Sequence, residues 1–578
     1  MTALATRIRD LATYYAPYSW FLVVWAAPLL TLCGGGFVFN RAVRNHQSGT
    51  VAATSAESPP RLARRSSIIA PAALAAFACL YACLLLYHED LVGLDYAQLT
   101  APRFVSVQLW PDNGRFFPFG LQEYNLLGFI GTSARIYRAF SVLELAIVLC
   151  CVYRILAPTP AWFRCAVILV LMTSASFVES FFSVVIQERD MLVLLCVWLL
   201  CYLSFIRNER WPAFCGALIA AQCLLYEKET AFVLIGGFAS VRMLLRARMN
   251  ALPRPPVKRR QFLEDNLLEI GHVVLCAVFL LVYALVVARH VKASYVQPSS
   301  WRATAGAFES YARSDLLVDA LALGFAARVV LLLRRKCRAD AFWDSLAAAG
   351  LAVAAAYVKL GIVRSYYLAP ADCVAVLYLA WLGHSALHDK GRRAIAGVVI
   401  AVALVVQANL RDAASAILDR KQYVDATVHL ASFLTTYARS HESPVTLYFP
   451  DAGGFQIMEF SSFLRFKGLQ ADGMPARPQG DRAGFTVKTS HRYPGDVCHP
   501  SQRFRCAYEA APQPSDLIVF LPGRDVPVRD LATLTATAGE AYHYRPAPTL
   551  VERLLRAIGS ADAAASQPSD AYVFTTSR

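Results

Sequence analysis

Apolar runs of about 20 residues recur along this 578-residue chain, with short basic segments between them. A run of that length is what a helix needs to cross a hydrocarbon core of about 30 Å. Only 17% of the residues are charged and 57% are hydrophobic, whereas a soluble chain carries about a quarter charged. These features predict an α-helical polytopic membrane protein with about twelve transmembrane helices. The formal net charge of +15 is not a nucleic-acid footprint, because much of the excess Arg and Lys sits in the connections that set membrane topology. The partner implied is a lipid bilayer, with no nucleic acid.

The first span is expected at residues 18–39, and later apolar runs include Ser66–Leu86 and Cys165–Ile186. Basic groups follow at Arg41–Arg65, Arg154 and Arg164, Arg207 and Arg210, Arg242–Arg260, Arg334–Arg338 and Lys390–Arg393. With these on the cytoplasmic side, the alternation closes without a leftover helix and puts the N-terminus outside. The outer face then receives residues 88–137, 187–190, 226–230, 289–315 and 363–370, and everything after about Arg411. A cleaved signal peptide is not expected, since the first apolar run starts late and lacks a short basic leader. Three regions result: residues 1–65, an extra helix and a basic loop; 66–410, a membrane core; and 411–578, an outer domain. The outer loop 88–137 is rich in Phe, Leu and Trp and reads as one or two short interfacial helices.

Past residue 411 the periodicity changes. Val424, Val428, Leu430, Ala431, Leu434 and Tyr437 mark a helix. Val445–Phe449 and Leu517–Leu521 read as strands, residues 455–466 and 549–558 as helices, and Ala571–Thr575 as a closing strand. This alternation predicts a soluble α/β domain, with Thr486–Pro514 as a long surface loop. Most of the fifteen cysteines lie inside apolar runs as small buried hydrophobes. Cys498 and Cys506 lie in the outer domain and are expected to pair in an oxidising compartment.

Charges are costly in hydrocarbon, so those at helix ends mark a water boundary or a polar site. Glu89, Asp90 and Asp95 follow the Ser66–Leu86 run, and Glu188-Arg189-Asp190 follows the Cys165–Ile186 run, on the same face. Glu227-Lys228-Glu229 adds a third group. The plain alternative is acids and ion pairs that simply end helices. The recurrence on one face favours a site. A first-loop carboxylate there can take a proton from a hydroxyl nucleophile. Glu188 and Asp190 could hold a divalent cation, magnesium or manganese, between hard oxygens. Arg115 and Arg364 sit among aromatic residues, where a guanidinium can grip phosphate or merely anchor the chain at the interface. Glu144, Glu179, Asp319, Arg328 and Lys359 fall in or near spans and suit buried pairs or a polar path. P-loop, dinucleotide and HExxH signatures are absent.

The order of an acidic pair after a core helix, an interfacial first loop with Gly114-Arg115, an acid-x-acid and an outer domain resembles the GT-C class of membrane glycosyltransferases. That class includes protein O-mannosyltransferases, aminoarabinose transferases and oligosaccharyltransferase catalytic subunits. The acidic pair with the later Gly-Arg is most similar to bacterial O-antigen glucosyltransferases. The resemblance covers about residues 66–410 and departs from the family at Glu188-x-Asp190, where the family pattern is Asp-x-Asp. It implies that sugar moves from a polyprenyl-phosphate donor to a glycan, lipid or protein acceptor, with inversion, on the periplasmic face of a bacterial inner membrane. Asp90 or Glu89 matches the catalytic acid, with Asp95 nearby, and Glu188 and Asp190 match the second acidic motif. Arg115, Arg189, Lys228 and Arg364 are the candidates for the donor phosphate. The competing readings are a lipid-linked sugar flippase, which should show broken helices or polar groups near mid-membrane, and a polysaccharide polymerase.

Overall fold

The computed structural model describes residues 2–47, 69–87, 105, 107, 109–111, 114–131, 133–208, 210–250, 262–263, 265–291, 300–389, 391–450, 452–471, 483–493, 497–499, 504–522, 538–545, 549–558 and 570–576. They fall into two compact units, one drawn mainly from residues 1–85, 107–131 and 139–409 and the other mainly from 410–578.

The first unit is helical, and the chain is a helical polytopic membrane protein. Among the described residues, seven helices are long and apolar enough to cross a membrane, or eight if one bent pair counts as a span. They are Ile8–Phe37, Ile69–Leu86, Ala134–Ile155, Gln187–Asn208, Leu267–Ala288, Leu316–Leu333 and Ser365–Ser385. The count is below the twelve expected, in part because apolar helices such as Trp211–Glu227 and Trp343–Lys359 stop at 17 residues. Ile69–Leu86 and Leu316–Leu333 expose most of their length, whereas Ser365–Ser385 is largely enclosed by its neighbours. Gly350 lets Trp343–Lys359 approach that enclosed helix: a Cβ there would stand 2.7 Å from Val374 Cγ1.

The expected run Cys165–Ile186 is two helices, Ala161–Met172 and Ala175–Phe182, bent by 68°. The break has a local cause. Thr173 Oγ1 donates back to Leu169 O, Ser174 Oγ donates to Leu171 O, and Ser174 caps the second helix at Phe177 N. Ser174 thus takes over backbone bonds that a continuous helix would make, while Thr173 shares Leu169 O with its own backbone N–H.

Among the described residues of the first outer loop, Leu109–Trp110 pairs antiparallel with Arg115–Phe116, and Glu123–Leu127 forms a short helix. Gly114 closes the hairpin at φ +73°, a conformation that glycine adopts without strain. Glu89, Asp90 and Asp95 lie outside the described residues.

The second unit holds a seven-stranded mixed sheet. Its order is Ala538–Tyr544, Ala571–Thr576, Leu517–Phe520, Val445–Phe449, Gly484–Thr489 and Gln470–Ala471, and Ala507–Tyr508 also pairs with Gly484–Thr489. The first three strands run antiparallel to one another in order, and Leu517–Phe520 is parallel to Val445–Phe449, which is parallel in turn to Gly484–Thr489. A register shift between Glu540 and Tyr542 bulges the outermost strand. The C-terminal part of the 49-residue helix Gly391–Arg439 packs on that strand, with Phe433 stacked on Tyr542 at 4.3 Å and His429 on Tyr544 at 4.5 Å. Lys421 on the same helix pairs with the buried Glu552 at 2.9 Å. The stretch read as the loop Thr486–Pro514 contains short strands at Gly484–Thr489, Val497–His499, Phe504–Arg505 and Ala507–Tyr508. Cys506 is disulfide-bonded, and the side chain of Cys498 lies outside the described residues.

Candidate functional site

Glu188-Arg189-Asp190 and Glu227-Lys228-Glu229 lie far apart in sequence and meet, with Arg115 and Glu123, in one polar layer of the first unit. Arg189, in the first turn of Gln187–Asn208, is its centre. The guanidinium is wholly buried and sits 2.5 Å from Glu144, 3.6 Å from Asp190 and 3.9 Å from Glu123. It also donates to Ser141 Oγ at 3.0 Å, Val184 O at 3.1 Å and Tyr124 Oη at 2.5 Å. Burial drives this saturation, because a guanidinium withdrawn from water must find carboxylates and acceptors inside the protein. Burial, reinforced by the neighbouring Asp190, holds the Glu123 carboxyl well above its usual range despite Arg189.

Lys228 anchors the adjoining part. Its ammonium bonds Glu188 at 2.9 Å and Gln187 Oε1 at 2.9 Å, and lies 4.9 Å from the centre of the Tyr367 ring. Burial alone would depress this amine, but Glu188, Tyr367 and Glu229 together outweigh it and raise the lysine above its ordinary value. Arg115, projected by the Gly114 hairpin, bonds Glu229 at 2.9 Å and lies 4.6 Å from the centre of the Phe117 ring. Glu229 also accepts the Phe116 N–H at 2.8 Å. Burial would lift this carboxyl, yet Arg115, Lys228 and the backbone donor hold it below its usual range. Tyr283 Oη donates to Gly114 O at 3.0 Å and so fixes the hairpin to the Leu267–Tyr283 helix.

An aromatic wall stands beside Lys228. Tyr367 packs against Tyr357 with ring centres 4.8 Å apart and against Tyr366 at 4.5 Å. Glu179 accepts the Tyr366 N–H at 3.3 Å. Arg364 opens this turn. Its backbone N and O both meet Tyr311 Oη at 3.2 Å. Its side chain is exposed and has no ion-pair partner among the described residues.

The geometry reassigns some of the expected site residues. Arg189 has no exposed surface and is enclosed by Glu144, Asp190, Ser141, Tyr124 and Val184 O, so it supports the layer rather than reaching a phosphate. Glu188 and Asp190 lie two positions apart on one helix, about 200° around its axis, and face different cations, Lys228 and Arg189. Among the described residues no group of three His, Cys, Asp or Glu side chains is placed to hold a metal ion. Lys228 and Arg115 are paired but lie against aromatic rings at the edge of the layer, and Arg364 has an exposed side chain with no ion-pair partner among the described residues. Glu144 proves to be a partner of Arg189, and Arg328 pairs with Asp344.

Glu123 and Tyr124 were not legible as site residues. No motif marks them, and they are brought in by the turn before them, where Leu121 is fully buried at φ 65°. Glu227 is 5% exposed and its Oε1 has no hydrogen-bond partner among the described residues. The charges acting on it most strongly are Asp190, Glu123 and Lys228. The carboxylates Glu123, Glu144, Glu188, Asp190, Glu227 and Glu229, buried or half-buried, thus outnumber the cations Arg115, Arg189 and Lys228. Such a layer can accept protons and hydroxyl groups, and among the described residues beside it Arg364 is the exposed cation available to an anion.

Comparisons with protein-family models, with curated proteins and with solved structures give no match to this chain.

Proposed function

We propose that this membrane protein is a glycosyltransferase that moves sugar from a polyprenyl-phosphate donor to an acceptor hydroxyl on the outer face of a bacterial inner membrane. The observation that carries the reading is the convergence of an open guanidinium, a tyrosine wall and a buried carboxylate layer near the ends of apolar helices. A lipid-linked donor needs those three surfaces. Its tail takes the bilayer, its phosphate takes Arg364, and its sugar ring lies against Tyr366 and Tyr367. A first-loop carboxylate takes the acceptor proton, with Asp90 as the first choice and Glu89 and Asp95 as rivals. Glu123 joins them as a described carboxylate with the right chemistry, since burial holds it above its usual range and makes it a stronger proton acceptor. The acceptor oxygen attacks the anomeric carbon as the phosphate departs with its electron pair. Arg364 stabilises the growing negative charge on that phosphate. One displacement inverts the anomeric centre. The disulfide at Cys506 supports placing the C-terminal unit in an oxidising compartment, outside the cytoplasm.

The test is transfer in proteoliposomes from a panel of polyprenyl-phosphate sugars. Asp90→Asn is expected to lower transfer by roughly 10²–10⁴-fold with insertion intact. Arg364→Gln is expected to raise the donor KM. Full activity in Asp90→Asn, Glu89→Gln, Asp95→Asn and Glu123→Gln alike would remove the reading.

One observation favours the flippase alternative: the helix pair bent by 68°, with Ser176 of its second half bonded to the buried Asp372. Broken helices near a polar group are a transporter device. The same proteoliposomes separate the two readings, because a flippase moves donor across the bilayer and forms no glycosylated product.

A further inference from the structure

The connection between the spans Leu267–Ala288 and Leu316–Leu333 contains the helix Trp301–Ser314. Residues follow one another at about 100° around its axis, and its sides differ in character. Ala307 and Tyr311 share one side and are buried. Trp301, Ala305, Phe308 and Ala312 share a second side, and all four are exposed, Trp301 by 82% and Phe308 by 65%. Arg302, Glu309 and Arg313 share a third side, where Arg313 pairs with Glu309 at 2.5 Å and both remain exposed.

Two contacts tie the helix down. Tyr311 Oη meets the backbone N and O of Arg364 at 3.2 Å. Nearer the other end, a Cβ at Gly361 would lie 3.5 Å from Ala303 Cβ. Ala303 and Tyr311 are about 12 Å apart along the axis, yet both meet the short segment 361–364. That segment opens directly into the span Ser365–Ser385. At its own C-terminus the helix stops one residue before the next span, where Asp315 caps Leu316–Leu333 by accepting from Leu317 N at 3.1 Å and Val318 N at 3.0 Å. Held against the ends of two spans, the helix lies along the membrane boundary.

Position and chemistry together say what covers the side of Trp301 and Phe308. Two aromatic rings left this open are costly in water. Tryptophan favours the headgroup layer, where its ring meets apolar chains and its N–H meets water. The span that follows also exposes large apolar groups, Leu316 and Leu323, as a lipid-facing helix does. Arg302 and Arg313, on the neighbouring side, suit the phosphates of that layer.

We propose that Trp301–Ser314 is an interfacial helix, docked on the lipid headgroup layer through Trp301 and Phe308. Because Tyr311 on its buried side holds the Arg364 backbone, the depth of this helix in the layer sets the level at which the Arg364 guanidinium stands. The inference needs the membrane class of the chain and not its chemistry.

The full-length protein in vesicles of phosphatidylethanolamine and phosphatidylglycerol tests it. The photo-crosslinker p-benzoylphenylalanine replaces Phe308 in one sample and Gly306, on the opposite side of the helix, in another. A Cβ at Gly306 meets nothing within 4 Å, so the control position has room. Irradiation is expected to give lipid adducts at position 308, read by mass spectrometry, and few or none at 306. Equal lipid labelling at the two positions, or crosslinks from 308 to a second copy of the chain in place of lipid, would overturn the proposal. Trp301→Phe gives a second measurement. Subtracting its fluorescence from that of the wild type isolates the Trp301 emission. That emission is expected to be mostly lost in lipids brominated high on the acyl chains and mostly kept in lipids brominated at the chain ends. Quenching by aqueous iodide with no loss to either bromolipid, or a greater loss to bromine at the chain ends, would also overturn the docking. Neither readout depends on glycosyl transfer.

Discussion

At the scale of single residues, the decisive distinction is between a cation that is open and one that is spent. Arg189 and Arg364 both look like outward-facing arginines in the sequence, but only Arg364 is exposed. Arg189→Gln is expected to destabilise the protein by about 3–5 kcal/mol, the range for removing one partner from a buried charge group. A drop in thermal stability without any selective change in donor KM would identify Arg189 as a structural residue. Arg364→Gln is expected to leave stability almost unchanged, since the contacts to Tyr311 use only its backbone. The sequence made Glu188, Arg189, Asp190 and Lys228 visible, because charges beside apolar runs stand out. It did not reveal their pairing. Glu188 and Asp190 are near neighbours in sequence, yet helical rotation sends them to different partners. Glu123 stayed hidden because it sits in a polar stretch of a loop, where nothing periodic marks a buried side chain.

At the scale of elements, the hairpin between Leu109 and Phe116 is the device that aims Arg115. Gly114→Ala tests it. A Cβ at Gly114 would meet nothing closer than Val291 Cγ2 at 3.6 Å, so space is not the obstacle. The positive φ is, and a non-glycine residue there costs roughly 1–2 kcal/mol. The expected result is a matching loss of thermal stability, restored when glycine is returned. An undiminished Tm would mean that the turn relaxes to another shape. The hairpin was not legible because aromatic residues suit both strands and interfacial helices, and two-residue strands are too short for alternation to show. The bent pair was hidden for a related reason. Its residues are mostly apolar apart from Arg164, Glu179 and the hydroxyl groups of Thr173, Ser174, Ser176 and Ser180, and hydroxyl groups break a helix only when their side chains replace backbone bonds. By contrast, Gly484–Thr489 buries Phe485, Val487 and Thr489 in strict alternation, a signal obscured by its Pro- and Arg-rich flanks.

At the scale of the whole molecule, the long apolar runs made the membrane class legible, while the number of spans was not. Run length is read easily, but helix ends depend on which residues pack inward, and 17-residue helices can be enclosed by their neighbours. Topology is the matching prediction. Reporter fusions after Lys258, Arg335 and Gly391 are expected to report cytoplasm, and those after Ser300 and Pro475 the exterior. In the same orientation, Cys506 is expected to resist alkylation until a reductant is added. A cytoplasmic signal at Pro475 would separate the C-terminal unit from the face assigned to the site and remove the enzyme as drawn.

The bulge in Ala538–Tyr544 has a consequence for life in a crowded compartment. An edge strand presents unpaired backbone groups that invite strands from other chains. The register shift between Glu540 and Tyr542 breaks the regular spacing an incoming strand would need. The opposite side of the sheet is blunted differently, because Gly484–Thr489 meets two short strands, Gln470–Ala471 at its start and Ala507–Tyr508 at its end. Among the described residues, neither margin of the sheet offers a long, regular template to an incoming strand.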